Sequence, residues 1–210
     1  MLFRSFCSSR GGRVPTETSW HQEYFNNPNN AKSPVMGVTW SEANDYATWK
    51  NKRLPTEKEW EKAASWGPKG GKSIWPWGDD QEPDRAVLNG RYPSPVGTHP
   101  RGASRYGVHD MAGNAAEWVS DYYNGYPNNP DPPSPSYGTD YRVTRGGSFS
   151  VGLDKARTTY RLPRTPNYGP GYVPSAGEPV EKSFYGFRCV ISASDPGVQE
   201  AIRKRAGSGK

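Results

Sequence analysis

Aromatic side chains outnumber branched aliphatic ones in this chain, and that ratio restricts the folds open to it. The sequence holds 8 Trp, 13 Tyr and 6 Phe, against 21 Leu, Ile and Val together. Helical bundles, coiled coils and doubly wound α/β folds need aliphatic stripes or runs that are missing here. The 24 Gly and 21 Pro among 210 residues would suit a disordered chain, but disordered chains are poor in aromatic residues. We therefore expect a compact fold in which large rings pin long, turn-rich loops.

Two capping patterns predict a pair of short helices in the first third of the chain. The segment Thr39–Glu42 has a hydroxyl and a carboxylate three residues apart, and small or aromatic residues follow at helical spacing to about Asn51. The segment Thr56–Glu59 repeats this capping box after a Leu-Pro break, and Gly67 with the following proline ends the second helix. The acidic residues of the second helix suit its positive N-terminal end, and we interpret them as a solvated face rather than as catalytic groups: Glu57, Glu59 and Glu61.

Beyond the second helix, regular structure is hard to find in the sequence. Residues 68–140 show no sustained period, only turn-forming residues around aromatic islands, which predicts a long loop region. Short strands are expected at 141–144 and 187–191, and residues 195–210 are typical of a frayed basic helix. No apolar run approaches the length of a membrane span, so we expect a soluble chain.

The N-terminal residues are basic, Ser-rich and free of acid until Glu17. Mitochondrial and other organellar transit peptides have this composition, but so do untidy termini without a targeting role, and both interpretations stay open. We expect an irregular lead-in at residues 1–33, one domain at 34–192 and a basic tail at 193–210.

Positive charge is concentrated between residues 141 and 165, where six Arg or Lys residues face Asp154 alone. Because the whole chain has a net charge of +6, nucleic acid has to be considered as a binding partner. The aromatic residues, however, are not interleaved with this cluster in a way that would let bases stack on them. The sequence also shows no recognition helix beside the cluster. The sequence therefore favours guanidinium groups held by rings, carbonyls or carboxylates, and no nucleic-acid partner.

The densest polar cluster runs from Asp110 to Glu117, where two carboxylates seven residues apart flank a turn of small residues. Carboxylate and carbonyl oxygens of this kind suit Ca²⁺. The same residues would also suit a turn in which the carboxylates cap backbone amides. Composition alone leaves both interpretations open.

Seven ordered segments give the chain a specific resemblance. It resembles the formylglycine-generating, or sulfatase-modifying factor, family over about residues 34–192, on the strength of Pro34–Trp40, Ala43–Trp49, Lys52–Glu61, Pro76–Gly78, Tyr106–Trp118, Arg142–Ser148 and Gly186–Cys189. The resemblance implies an α+β, C-type-lectin-like fold with two short helices, a small antiparallel sheet and long irregular loops. Members usually begin with strands and a helix upstream of this region. Either a partner supplies those strands here, or residues 20–25 cover the exposed sheet edge.

The resemblance also bears on metals. It implies a structural Ca²⁺ site in which two side chains and two carbonyls are the ligands: Asp110, Gly113, Ala115 and Glu117. Members that oxidise a sulfatase cysteine carry a reactive cysteine pair after the Gly-Gly-Ser segment, and alignment from Ser148 places Val151 and Ala156 there. Neither side chain can supply a thiolate, so no copper is expected. Cys189 stands alone in the closing strand and is interpreted as structural sulfur.

These departures favour a non-catalytic binding or scaffold module, which is a subunit of a larger assembly or binds a ligand for it. A metal-dependent oxidoreductase that acts on a peptide or amino-acid-like substrate without the cysteine pair is the alternative. A protein partner, or a small-molecule or peptide ligand, would contact a loop surface rich in Tyr and Arg. The residues predicted for that surface are Ser148, Phe149, Arg157, Tyr160, Arg161, Tyr168, Tyr172 and Tyr185.

Overall fold

The helices and strands are few and short. A computed structural model describes residues 6–9, 27–67, 70–129, 134–167 and 184–207, with side chains to residue 204. Its helices of nine or more residues are α1 (Trp40–Trp49), α2 (Glu57–Ser65) and α3 (Pro196–Gly207). The strands are β1 (Ala116–Tyr122), β2 (Arg142–Arg145), β3 (Arg161–Arg164) and β4 (Tyr185–Phe187). This α+β content agrees with the fold class expected from the sequence.

The capping patterns form as predicted. The Thr39 side chain accepts a hydrogen bond from the Glu42 amide, and the Glu42 carboxylate accepts one from the Thr39 amide at 2.8 Å. Thr56 and Glu59 make the same reciprocal pair at the start of α2. Because each box joins residues only three positions apart, these helix starts are determined locally.

The sheet has the strand order β3-β2-β1-β4. The β1–β2 and β2–β3 pairs are antiparallel, but β4 pairs with β1 in parallel, so the sheet is mixed and not antiparallel as expected. Strand β1 lies inside the stretch predicted to be loop. Its first four residues are all buried, so the alternation of apolar and polar residues that marks a half-exposed strand is absent.

The other three strands also differ from the sequence predictions. Strand β3 was missed because Pro163 interrupts it, and proline is tolerated there because β3 is an edge strand. Strand β4 ends at Phe187, and Val190 instead forms an isolated bridge with Arg53. Strand β2 starts one residue later than predicted, and the C-terminal helix forms as α3.

Indole groups connect the helices to the sheet, as the aromatic composition predicts. Trp118 is fully buried and its Nε1 donates to the Val38 carbonyl at 2.9 Å. Trp40 Nε1 donates to the Val119 carbonyl at 2.8 Å. These bonds fix the start of α1 against β1.

The lead-in contributes to the core. Phe6 and Cys7 are buried in the same apolar cluster as Trp118 and Tyr185. Residues 20–25, expected to cover the sheet edge, lie outside the described residues. Within the described part of the chain, no helix is long and apolar enough to span a membrane.

Candidate functional site

The acidic residues of α2 do not form a solvated face. Glu57 and Glu61 are buried, and only Glu59 is exposed. The Glu57 carboxylate accepts two hydrogen bonds from Arg161, at 2.5 and 2.7 Å, and lies 3.5 Å from Nε of the fully buried Arg145. The solvated-face interpretation is therefore wrong for Glu57 and Glu61. Their i, i+4 spacing, which places both on one side of a helix with Trp60 between them, was the available signal.

Glu61 is shared by three donors. Its Oε2 accepts from Arg145 Nη2 at 2.5 Å and from the Tyr126 hydroxyl at 2.6 Å, and its Oε1 accepts from Lys72 at 2.7 Å. Burial alone would raise the pKa of Glu61, but the hydrogen bonds from Lys72 and Tyr126 and the charge of Arg145 outweigh burial and lower it. Burial, together with the Glu61 carboxylate, raises the pKa of Tyr126 to about 12. The Glu61 side chain is therefore an ionised carboxylate at neutral pH.

Part of this network lines a cavity of about 670 Å³ between α2, the end of β1 and the segment that follows β1. We call this cavity the α2 groove. Its position is fixed by the contact of the two elements, because Asp121 Oδ2 accepts from the Glu57 amide at 2.8 Å. The floor consists of Glu57, Glu61 and Arg161, and the rim side chains are Lys58, Lys62, Trp66, Lys72, Tyr122, Tyr126 and Arg142.

Arg142 lines the α2 groove with its guanidinium clamped between two rings. Its Cζ lies 3.8 Å from the Trp40 ring centroid and 3.5 Å from that of Tyr122, and Nη1 donates to the Ser120 carbonyl at 2.6 Å. Its Nε is buried without a hydrogen-bond partner among the described residues. Burial lowers the pKa of Arg142, although an arginine stays charged at neutral pH. The rings and the carbonyl hold this guanidinium in the way that the sequence analysis expected for the basic cluster.

Three of the four predicted calcium ligands line a second cavity, of about 480 Å³. Asp110, Ala115 and Glu117 line it, whereas Gly113 lies in the same turn outside the lining. Asp110 Oδ2 accepts a hydrogen bond from the Gly97 amide at 2.7 Å. For this one carboxylate, the structure therefore shows the alternative in which a carboxylate caps a backbone amide. The structure thus brings the two carboxylates to one cavity.

Glu117 is already engaged by a cation. Arg188 donates to both of its carboxylate oxygens at 2.6 Å, and Trp60 Nε1 donates to Oε2 at 2.7 Å. Carboxylate and carbonyl oxygens are ligands that Ca²⁺ prefers, but the ion would compete with Arg188 for the Glu117 carboxylate. No cluster of three or more His, Cys, Asp or Glu side chains suited to a metal occurs in the described residues. The calcium site remains a prediction.

The two positions expected to align with the family's cysteine pair are apolar, and only Ala156 is fully enclosed. Ala156 is fully buried against Ala86 and Ala112, at the end of a short 3-10 helix. Val151 is half-buried, and its carbonyl accepts from the Asn89 amide.

The chain's two cysteines lie elsewhere. Cys7 is buried and Cys189 is half-buried against the same core cluster. Burial raises the pKa of the Cys189 thiol, which disfavours the thiolate. Neither sulfur has the environment of a reactive thiolate.

The predicted loop surface does not form as one face. Ser148, Phe149 and Tyr185 are buried, so for these three the prediction is wrong. They turn inward because Phe149 packs on the Phe184 ring at 4.5 Å and Tyr185 packs on Trp118 at 5.5 Å.

The other residues of that surface are scattered. Arg157 is exposed, Tyr160 is half-buried, and Arg161 is committed to Glu57 in the α2 groove. Tyr168 and Tyr172 lie outside the described residues.

A family model confirms the resemblance. The model described as "Sulfatase-modifying factor enzyme 1-like domain" matches residues 3–193. The chain belongs to the sulfatase-modifying factor family. The match begins upstream of residue 34, the expected start of the domain, which agrees with the burial of Phe6 and Cys7 in the core.

Relatives in this family include both an enzyme and a protein described as inactive. Hercynine oxygenase of Mycolicibacterium smegmatis is 42% identical over 142 residues, covering 61% of this chain and 33% of the oxygenase. Inactive C-alpha-formylglycine-generating enzyme 2 of Mus musculus is 35% identical over 181 residues, covering 78% of this chain and 50% of that protein. The chain thus spans a third to a half of these relatives.

A solved structure supports the fold. The crystal structure of CarF aligns with a TM-score of 0.59 at 19% identity, covering 89% of this chain and 79% of that one. At this identity the likeness bears on the fold alone.

Proposed function

We propose that this domain is a non-catalytic binding or scaffold module, which serves a larger assembly as a subunit or as its ligand-binding part. The observation that carries the proposal is Ala156, a methyl group fully buried in the core. The resemblance aligns it with a position where members that oxidise a sulfatase cysteine have a thiol. Val151 at the other position is equally unable to bind a metal or act as a nucleophile. Similarity to the inactive mouse protein supports the same conclusion.

A metal-dependent oxidoreductase is the second candidate. The 42% identity to hercynine oxygenase favours it, because that relative is named as an enzyme. Such an activity would act on an amino-acid-like or peptide substrate with a metal held by groups other than the cysteine pair. A shared fold does not decide between the two candidates, since one fold hosts both catalytic and binding members.

Oxygen consumption separates the two candidates. The purified chain would be incubated with Fe²⁺ or Cu⁺ and with hercynine plus cysteine or a cysteine-containing peptide, and the M. smegmatis oxygenase would serve as the positive control. Uptake no faster than that of the metal and substrates alone supports the binding module. Metal-dependent turnover by this chain would establish the oxidoreductase instead.

We also propose that Ca²⁺ binds at the Asp110 turn in a structural role. Support comes from the two carboxylates at one cavity, since Ca²⁺ combines carboxylate and carbonyl oxygens in flexible geometry. Asp110 and Glu117 would supply the side-chain oxygens, with Glu117 giving up part of its contact with Arg188. Bound Ca²⁺ would cross-link the turn to the start of β1 and stabilise it.

A further inference from the structure

The carboxylates in the α2 groove are already paired within the protein. Glu57 is held by Arg161, and Glu61 by Arg145, Lys72 and Tyr126. Oδ2 of Asp121 accepts from the Glu57 amide and from the Ser120 hydroxyl. The negative charges of Glu57 and Glu61 are therefore compensated, and a cation bound to either would have to break existing pairs.

Apart from Lys72, the cations at the rim are not paired with a carboxylate in this way within the described part of the chain. Lys58 and Lys62 lie one turn apart on α2 and are both exposed, and across the described residues neither forms an ion pair. Like charges at this spacing repel each other. Arg142 adds a third cation, clamped in place and with its Nε unsatisfied. A ligand with spaced negative charges would relieve this repulsion.

Exposed rings stand among these cations. Trp66, Tyr122 and Tyr126 are 38%, 39% and 44% exposed, and all three line the α2 groove. Large rings that remain exposed beside positive side chains are typical of protein-binding sites, where aromatic and Arg residues are enriched.

We infer that the α2 groove binds an acidic peptide segment of a protein partner. Its carboxylates would contact Lys58, Lys62 and Arg142, while its apolar or planar groups pack on the exposed rings. The inference rests on the proposed binding function and names the chemistry of the partner. A peptide fits better than a nucleic acid, because a duplex carries one negative charge per about 3.4 Å of helix axis on each strand and would place dense negative charge over the carboxylates of the floor.

The probe is a fluorescein-labelled decapeptide that alternates Glu and Gly around one central Tyr, with a Gln-for-Glu version as the neutral control. Fluorescence polarisation would compare the unmodified chain with K58Q/K62Q and with K32Q/K52Q. Lys32 and Lys52 are exposed and do not line the groove, so the second pair removes the same net charge elsewhere. All four lysines are exposed, and circular dichroism would confirm that both variants fold.

We expect K58Q/K62Q to bind the acidic peptide roughly tenfold more weakly, since each exposed charge contact is worth up to about fivefold in affinity. K32Q/K52Q should bind within about twofold of the unmodified chain, and raising the salt concentration should weaken binding.

Three results would overturn the inference. They are equal weakening by both lysine pairs, tighter binding of a single-stranded oligonucleotide of the same charge, and binding of the acidic peptide no stronger than that of the neutral one. None of these results changes the outcome of the oxygen-consumption test. The proposed function is therefore tested separately from the inferred peptide binding.

Discussion

Glu61→Gln tests the ion-pair network at the floor of the α2 groove. The substitution keeps an acceptor oxygen and nearly the same volume but removes the charge opposite Arg145. The Arg145 side chain is fully buried, and after the change its remaining partners are the Tyr160 carbonyl at 3.0 Å and Glu57 at 3.5 Å. Since Glu57 is already committed to Arg161, the buried guanidinium is left undercompensated.

The expected cost follows from the burial of both partners. Removing one member of a buried ion pair costs about 3–5 kcal/mol, because the other charge stays buried. The amide oxygen and the Tyr160 carbonyl retain part of the hydrogen bonding, so we expect a loss of about 2–3 kcal/mol in the free energy of unfolding. With an m-value of about 2 kcal/mol/M, the urea midpoint would fall by about 1–1.5 M.

Glu59→Gln is the matched control on the same helix. Glu59 pairs with Arg53, but both side chains are nearly half exposed, at 45% and 48%. The pair should therefore contribute at most about 1 kcal/mol, and the glutamine can still accept the capping hydrogen bond from Thr56. Equilibrium urea unfolding of both variants measures the difference. Equal and small losses for the two variants would refute the argument that burial makes the Glu61 network important.

The pH dependence supplies a second check on Glu61. Its pKa in the folded protein lies below the ordinary value of 4.5, so its stabilisation is fully present above pH 4.5 and is lost as the pH falls through the folded pKa. Glutamine does not titrate. The stability difference between the unmodified chain and Glu61→Gln should therefore be constant from pH 7 to about 5 and should shrink at lower pH. A difference that grows on acidification would contradict this sign.

Three further substitutions or additions have defined outcomes. Ca²⁺ at a hundred times its Kd should stabilise the fold by about 2.7 kcal/mol and raise Tm in a thermal melt. EDTA or the Asp110→Asn substitution should cancel this rise. An unchanged Tm on addition of Ca²⁺ would contradict the calcium proposal. Gly113→Ala should cost about 2–4 kcal/mol in urea unfolding, because φ is +71° and the new methyl would overlap the Val87 carbonyl oxygen. Thr39→Ala should cost about 1 kcal/mol by the same measurement through loss of the α1 cap, and no loss would mean that tertiary packing alone holds the helix start.

Local signals in the sequence were sufficient for some of the fold. The two helices were predicted because each capping box links residues three positions apart, and such contacts need no tertiary partner. The family was identified from the order of its motifs, which the family model confirms. The scarcity of cysteine could also be read directly, since the sequence holds only 2 Cys.

The tertiary structure decided the rest. Strand β1 is buried on both faces at its start, so its residues carry no period of two for the sequence to display. Glu61 meets Tyr126 and Arg145 across separations of 65 and 84 residues, and Arg188 reaches Glu117 across 71. An acidic helix face looks the same in sequence whether it meets water or buried arginines. Only the fold brings distant charges together, because the strength of an ion pair depends on burial and distance, and neither is a local property.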